Sequence, residues 1–150
     1  MSPQDRHDTD RDGPLHASCV SLEGRGVLIL GASGSGKSAL ALQLMALGAR
    51  LVSDDRTLVE PRDGRLIASA PERIRGLIEA RGVALLNAET AGPIALWLAI
   101  DLDRVETERL PPRRFCEING ISIPMLHNVE AGYFPAAILQ YLKAGTSETS

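Results

Sequence analysis

Eight consecutive residues, Gly31-Ala32-Ser33-Gly34-Ser35-Gly36-Lys37-Ser38, meet the pattern G-x-x-x-x-G-K-[ST] at every fixed position. Glycines 31, 34 and 36 let successive backbone N–H groups turn inward around an anion, where a side chain at Cβ would obstruct them. A helix starting at Lys37 aims its positive end at the same point. Lys37 can then reach the β- and γ-phosphates of ATP, and the Ser38 hydroxyl can ligate Mg²⁺. The segment lies between an apolar strand, GVLIL, and a stretch with apolar residues at 40, 44 and 47, which is the context such a cradle requires.

Holding a phosphate is not a reaction, and the next polar cluster bears on that. Asp54 and Asp55 follow the strand after the cradle helix, at the sheet edge where ligands collect in doubly wound folds. Residues adjacent along a strand point to opposite faces, but a chain leaving the strand can turn both carboxylates toward one site. One Asp with Ser38 would hold Mg²⁺, and the other would be free to accept a proton from an attacking hydroxyl. His16, ten residues before the strand, carries no role when taken alone.

The elements that must position these groups read as an α/β domain whose strands outnumber its helices in a mixed sheet. A hairpin with a Gly-Arg-Gly break leads into the strand 26–30. The helix 37–47 follows, with Gly48 beyond its end, and then a strand over 50–53. A polar turn at PRDGR precedes a strand at 66–68. PERIRGLIEAR reads as a helix with Pro71 in its first turn. Strands are expected at 83–86 and 94–101, the second buried on both faces. Residues 115–118, Asn-Gly and 121–124 give the clearest hairpin, and 133–143 a closing helix. Residues 1–14 and 145–150 are expected to be disordered, leaving one domain over 15–144.

Composition narrows the function classes. The formal net charge of −3 gives no general attraction to nucleic acid or anionic lipid. The longest apolar run, IALWLAI, is too short to span a bilayer, and the polar start has no apolar secretion core, so the cytoplasm is the expected location. Cys19 and Cys116, each in an apolar strand-like stretch, are expected to be buried thiols.

HASCVSLEGRGVLILGASGSGKS, then LVSDDR, then EARGV, together resemble the catalytic domain of HPr kinase/phosphorylase, from about His16 to Val83 and weakly beyond. The resemblance implies a P-loop kinase-like domain, related to PEP carboxykinase, that uses ATP and Mg²⁺ to phosphorylate a serine of HPr or a similar phosphotransferase-system carrier. Assembly as a homo-oligomer is a further implication. By residue, it implies Asp54 as the base toward the acceptor serine, with Lys37 and His16 beside it. Asp55 and Ser38 fall where magnesium is held, with Glu79 of the E-x-R-G segment supporting the metal and Arg81 close by. The chain departs from the family pattern after Arg81. Asn87 stands where an acid is expected, no arginine lies between Arg81 and Arg104, and VEAGYF replaces a Pro-Gly-Arg-Asn-like segment. These changes remove cations and argue against the reverse, phosphorylase reaction. Three readings follow: a protein-serine kinase, an ATP-binding regulatory module without efficient transfer, and a small-metabolite kinase.

Overall fold

The chain reverses at Glu23-Gly24, Asp63-Gly64 and Asn119-Gly120, where both residues of each pair take positive φ (50° and 81°, 53° and 77°, 48° and 80°). This is the backbone of a two-residue hairpin turn whose twist matches the strands it joins. The computed structural model describes residues 6–9 and 13–147. Its elements are β1 (Arg6–Thr9), β2 (Ala17–Leu22), β3 (Arg25–Leu30), α1 (Lys37–Ala46), β4 (Arg50–Ser53), β5 (Leu58–Arg62) and β6 (Arg65–Ser69). A 3₁₀ turn (Glu72–Ile74) precedes β7 (Leu77–Ala80), β8 (Ala84–Asn87), β9 (Ile94–Val105), β10 (Arg114–Ile118), β11 (Ile121–Asn128) and α2 (Phe134–Ala144).

The main sheet runs β1-β10-β11-β9-β3-β2-β4, with the β5–β6 hairpin attached to the start of β9. β9 lies parallel to both β3 and β11, while β2 is antiparallel to β3 and to β4. The sheet is therefore mixed, as the sequence implies. Period-2 alternation sends successive side chains to opposite faces. Val27 and Ile29 pack with Leu40 and Leu44 of α1 and Ile138 of α2, whereas Leu28 and Leu30 pack with Leu66 and Ala68 of β6. Leu98, Ala99 and Ile100 are fully buried, so the centre of β9 is enclosed on both faces as expected. Cys19 and Cys116 are both buried, as expected. Among the described residues, no helix is long and apolar enough to cross a membrane.

Register explains where a site can form. The end of β3 at Leu30 pairs with Ala17 at the start of β2, and Ser53 at the end of β4 pairs with Cys19. The loop after β3, the residues opening β2 and those leaving β4 therefore meet at one sheet edge. Those are the glycine loop, His16 with Ser18, and Asp54 with Asp55.

The helix expected over PERIRGLIEAR does not form. Only Glu72–Ile74 coils, Gly76 takes φ 78°, and Leu77–Ala80 is extended against Ala84–Asn87. Ile74, Leu77 and Ile78 have helical spacing, yet in the strand Ile78 is buried and Glu79 exposed, which is strand alternation. An extended Glu79 also frees its N–H for a partner outside the segment, which a helix would have tied to its own preceding turn. β4 matches its expected bounds, while β9 and β11 run longer than expected, to Val105 and Asn128. Most of residues 1–14, expected to be disordered, lies outside the described residues; within it Arg6–Thr9 is a strand parallel to β10. Residues 145–147 have no regular structure, and 148–150 lie outside the description.

Candidate active site

The loop between β3 and α1 has the shape its glycines predict. Gly34 and Gly36 take φ 83° and 102°, values that L side chains rarely adopt. A Cβ on Gly31 would collide with the Ser35 hydroxyl and come within 3.3 Å of Leu102 Cβ. α1 begins at Lys37 with no side-chain cap and no acidic residue in its first turn, so its terminal N–H groups and positive dipole end remain available to an anion. The Ser35 hydroxyl is buried without a hydrogen-bond partner, a polar atom awaiting one. The Ala32 N–H faces outward to both oxygens of Asp103 at 3.1 Å, and Asp103 N–H is held by Asp101 at 2.9 Å, which braces the loop from outside.

Lys37 is only 4% exposed, and its ammonium donates to Gly31 O at 2.9 Å and Ala32 O at 3.0 Å. Its third proton is directed at Asp55, whose Oδ1 lies 3.7 Å away. Lys37 thus sits across the mouth of the cradle with a carboxylate facing it.

The two aspartates have different environments. Asp54 is buried and takes three hydrogen bonds: Ser38 Oγ at 2.6 Å and Ser18 Oγ at 2.8 Å on Oδ1, and the Glu79 N–H at 3.1 Å on Oδ2. Asp55 is half exposed, with Oδ1 3.5 Å from His16 Nε2 and 3.7 Å from Lys37 Nζ. Its φ of 66° is left-handed, and this turn at the end of β4 brings both carboxylates to the same side. The residue expected to be the base, Asp54, is therefore the one already engaged by three donors. Asp55, expected beside Ser38, stands instead with His16 and Lys37. Ser38 pairs with Asp54.

A cleft of about 620 Å³ opens over these groups, within the range of small-molecule sites. Ser33, Lys37, Ser38, Asp54 and Asp55 line one wall; Glu79 and Arg81 of the β7–β8 hairpin, with Ile74 and Leu85, line the other. Arg56 also lines it, so two arginines border the cleft despite the departures from the family pattern after Arg81. Lys37, Ser38, Asp54, Asp55 and Glu79 line this cleft, and His16 reaches Asp55 from beside it, while Gly31, Ala32 and Ser35 lie in the loop behind the wall. Sequence reasoning missed Ser18 and Arg56; for Ser18 the available signal was a polar residue beside Ala17 and Cys19 in a largely apolar strand that also holds Ser21.

Among the described residues no three His, Cys, Asp or Glu side chains converge as a ready-made ion cage. Mg²⁺ does not need one, because it keeps water and binds through one or two protein oxygens plus substrate phosphates. Ser38 suits that role: its proton points to Asp54, which leaves its oxygen lone pairs for a cation. The cradle, the orphaned Ser35 hydroxyl and this polarity together fit a Mg²⁺-bound nucleoside triphosphate.

The family model described as HPr Serine kinase C-terminal domain matches residues 10–94. The HPr kinase/phosphorylase of Brevibacillus brevis is 46% identical over 111 residues, 71% of this chain and 35% of its own length. That of Bacillus licheniformis is 47% identical over 92 residues, 59% of this chain and 30% of its own length. The chain thus spans about a third of the length of the curated relatives it matches. Among solved structures, the Hpr(Ser) kinase/phosphatase from Coxiella burnetii superposes with a TM-score of 0.73 at 25% identity, covering 87% of this chain and 93% of that one.

Proposed function

The chain belongs to the HPr serine kinase C-terminal domain family, and on that premise we propose that it transfers the γ-phosphoryl group of ATP to a serine of HPr or a similar phosphocarrier protein. The observation that carries this reading is the division of labour between the adjacent acids. Asp54 is bound to Ser38, while Asp55 is open to the cleft and faces Lys37 and His16.

The acceptor serine oxygen attacks the γ-phosphorus, forming the new O–P bond as the bond to the β-phosphate oxygen breaks. The electron pair of that bond leaves with ADP, and the serine proton passes to the Asp55 carboxylate. Lys37 exchanges its loop carbonyls for the β- and γ-phosphate oxygens, and the amides of the cradle bind the same anion. Ser38 and Glu79 are the side chains that would hold Mg²⁺, whose charge offsets that of the phosphates. Arg56 and Arg81 border the cleft where charge develops. Asp55 is offered as the base in place of Asp54 because a proton acceptor must reach the acceptor hydroxyl, and Asp54 is closed in by three donors.

The test is incubation with γ-labelled ATP, Mg²⁺ and purified HPr. Label on a serine of HPr is the expected result; ATP binding without transfer would overturn the kinase reading in favour of a nucleotide-responsive module. Turnover of a small metabolite with no protein acceptor would overturn it in favour of the third reading.

A further inference from the structure

Ser18 is fully buried as the second residue of β2, a strand whose only other polar side chain is Ser21. Its one proton goes to Asp54 Oδ1 at 2.8 Å, and its oxygen accepts the Asp55 N–H at 3.0 Å. A single hydroxyl thus joins the side chain of one aspartate to the backbone of the next. The hydroxyl's donor and acceptor capacity are both used.

We propose that Ser18 is a positioning residue that holds Asp55 in its left-handed backbone conformation and so aims the Asp55 carboxylate at the cleft. The geometry gives the reason. The φ of 66° at Asp55 is uncommon for a residue with a side chain, and here it lies outside a two-residue hairpin turn, so an external hydrogen bond helps to hold it. The Asp55 N–H is the atom closest to that torsion, and Ser18 is its recorded partner. Asp54 anchors the other end through Ser38 and the Glu79 amide, so Ser18 ties Asp55 to the cradle helix and to the β7–β8 hairpin at once. His16, two residues earlier on the same segment, approaches Asp55 Oδ1 from the other side. The chain entering β2 therefore sets both the backbone and the side-chain direction of Asp55.

The catalytic arm of this proposal rests on the kinase reading; the conformational arm does not. Ser18→Ala removes the hydroxyl with no added bulk, and Ser18→Thr retains it. In the full chain with ATP, Mg²⁺ and HPr, Ser18→Ala is expected to lower kcat at least about tenfold while the ATP dissociation constant changes less than about threefold, and Ser18→Thr to recover most of the loss. Independently of activity, hydrogen exchange of the Asp55 amide is expected to accelerate about tenfold in Ser18→Ala. An Asp55 amide that exchanges as in the unmodified chain overturns the proposal, as does an unchanged kcat in a variant whose amide is freed. If the unmodified chain labels no acceptor, the kinase reading fails and the amide exchange alone decides the role of Ser18.

Discussion

The Ser38 hydroxyl and the Asp54 carboxylate are joined by a 2.6 Å hydrogen bond, which ties Asp54, rather than Asp55, to the start of α1. With Ser18 and the Glu79 amide also bound to it, Asp54 connects α1, β2 and the β7–β8 hairpin through one side chain. Asp55, one residue later, keeps its exposure and its access to Lys37.

Asp55→Asn should lower kcat by about 10²–10⁴ with little change in ATP affinity, because an amide cannot accept the serine proton. Transfer assays beside equilibrium nucleotide binding check this. Transfer surviving at the original rate would return the base to another group.

Asp54→Asn should act differently. An amide nitrogen must face at least one of three donors, so a buried N–H is left without an acceptor at a cost of about 1–3 kcal/mol in stability. Thermal or denaturant unfolding should report that loss, together with weaker Mg²⁺-dependent ATP binding through a displaced Ser38. Full stability would show that the carboxylate is not the hub described.

Gly31→Ala should damage the cradle without touching a charge. The new Cβ meets the Ser35 hydroxyl and lies 3.1 Å from Ser35 Cβ and 3.3 Å from Leu102 Cβ. Overpacking of this kind costs about 1–3 kcal/mol, and the loop should lose ATP binding along with stability. Isothermal titration of the variant against the unmodified chain is the measurement.

Saturating MgATP should stabilise the fold by mass action. At a ligand concentration about 100 times the dissociation constant the gain is about 2.7 kcal/mol, which for a domain of this size raises Tm by about 5–10 °C. Lys37→Ala should remove most of that shift, since its ammonium is the buried cation of the cradle.

Acid should weaken the fold through a second cluster, formed by Asp101 of β9, Glu106 just past its end, Arg114 of β10 and His127 of β11. Burial and the nearby Arg114 charge hold His127 below its usual 6.5, against the opposing pull of Glu106 and Asp101. A histidine kept neutral in the native state but protonated when unfolded contributes stability that is complete above about 6.5 and declines as pH falls below it. Burial alone would raise Glu106, yet the Arg114 hydrogen bond and charge and the amides of Glu108 and Thr107 leave it lowered, so its contribution fades only at more acid pH, below about 4.5. Denaturant midpoints between pH 7.5 and 5.5 should fall for the unmodified chain and fall less for His127→Gln. Equal slopes would remove His127 from the account.

The amino-acid sequence by itself determined the cradle and the hairpins β2–β3 and β10–β11. The glycine spacing, the lysine and the serine act through backbone conformations only a few residues long, and a two-residue turn such as Asn119-Gly120 needs no distant partner. Tertiary structure decided the rest, because it depended on groups far apart in the chain. The periodicity of PERIRGLIEAR suits a helix, but Gly76 breaks it and the Glu79 N–H finds an acceptor on Asp54, 25 residues earlier. The roles of Asp54 and Asp55 are likewise indistinguishable along a strand. They separate only where Ser18, 36 residues before Asp54, meets both of them at the sheet edge.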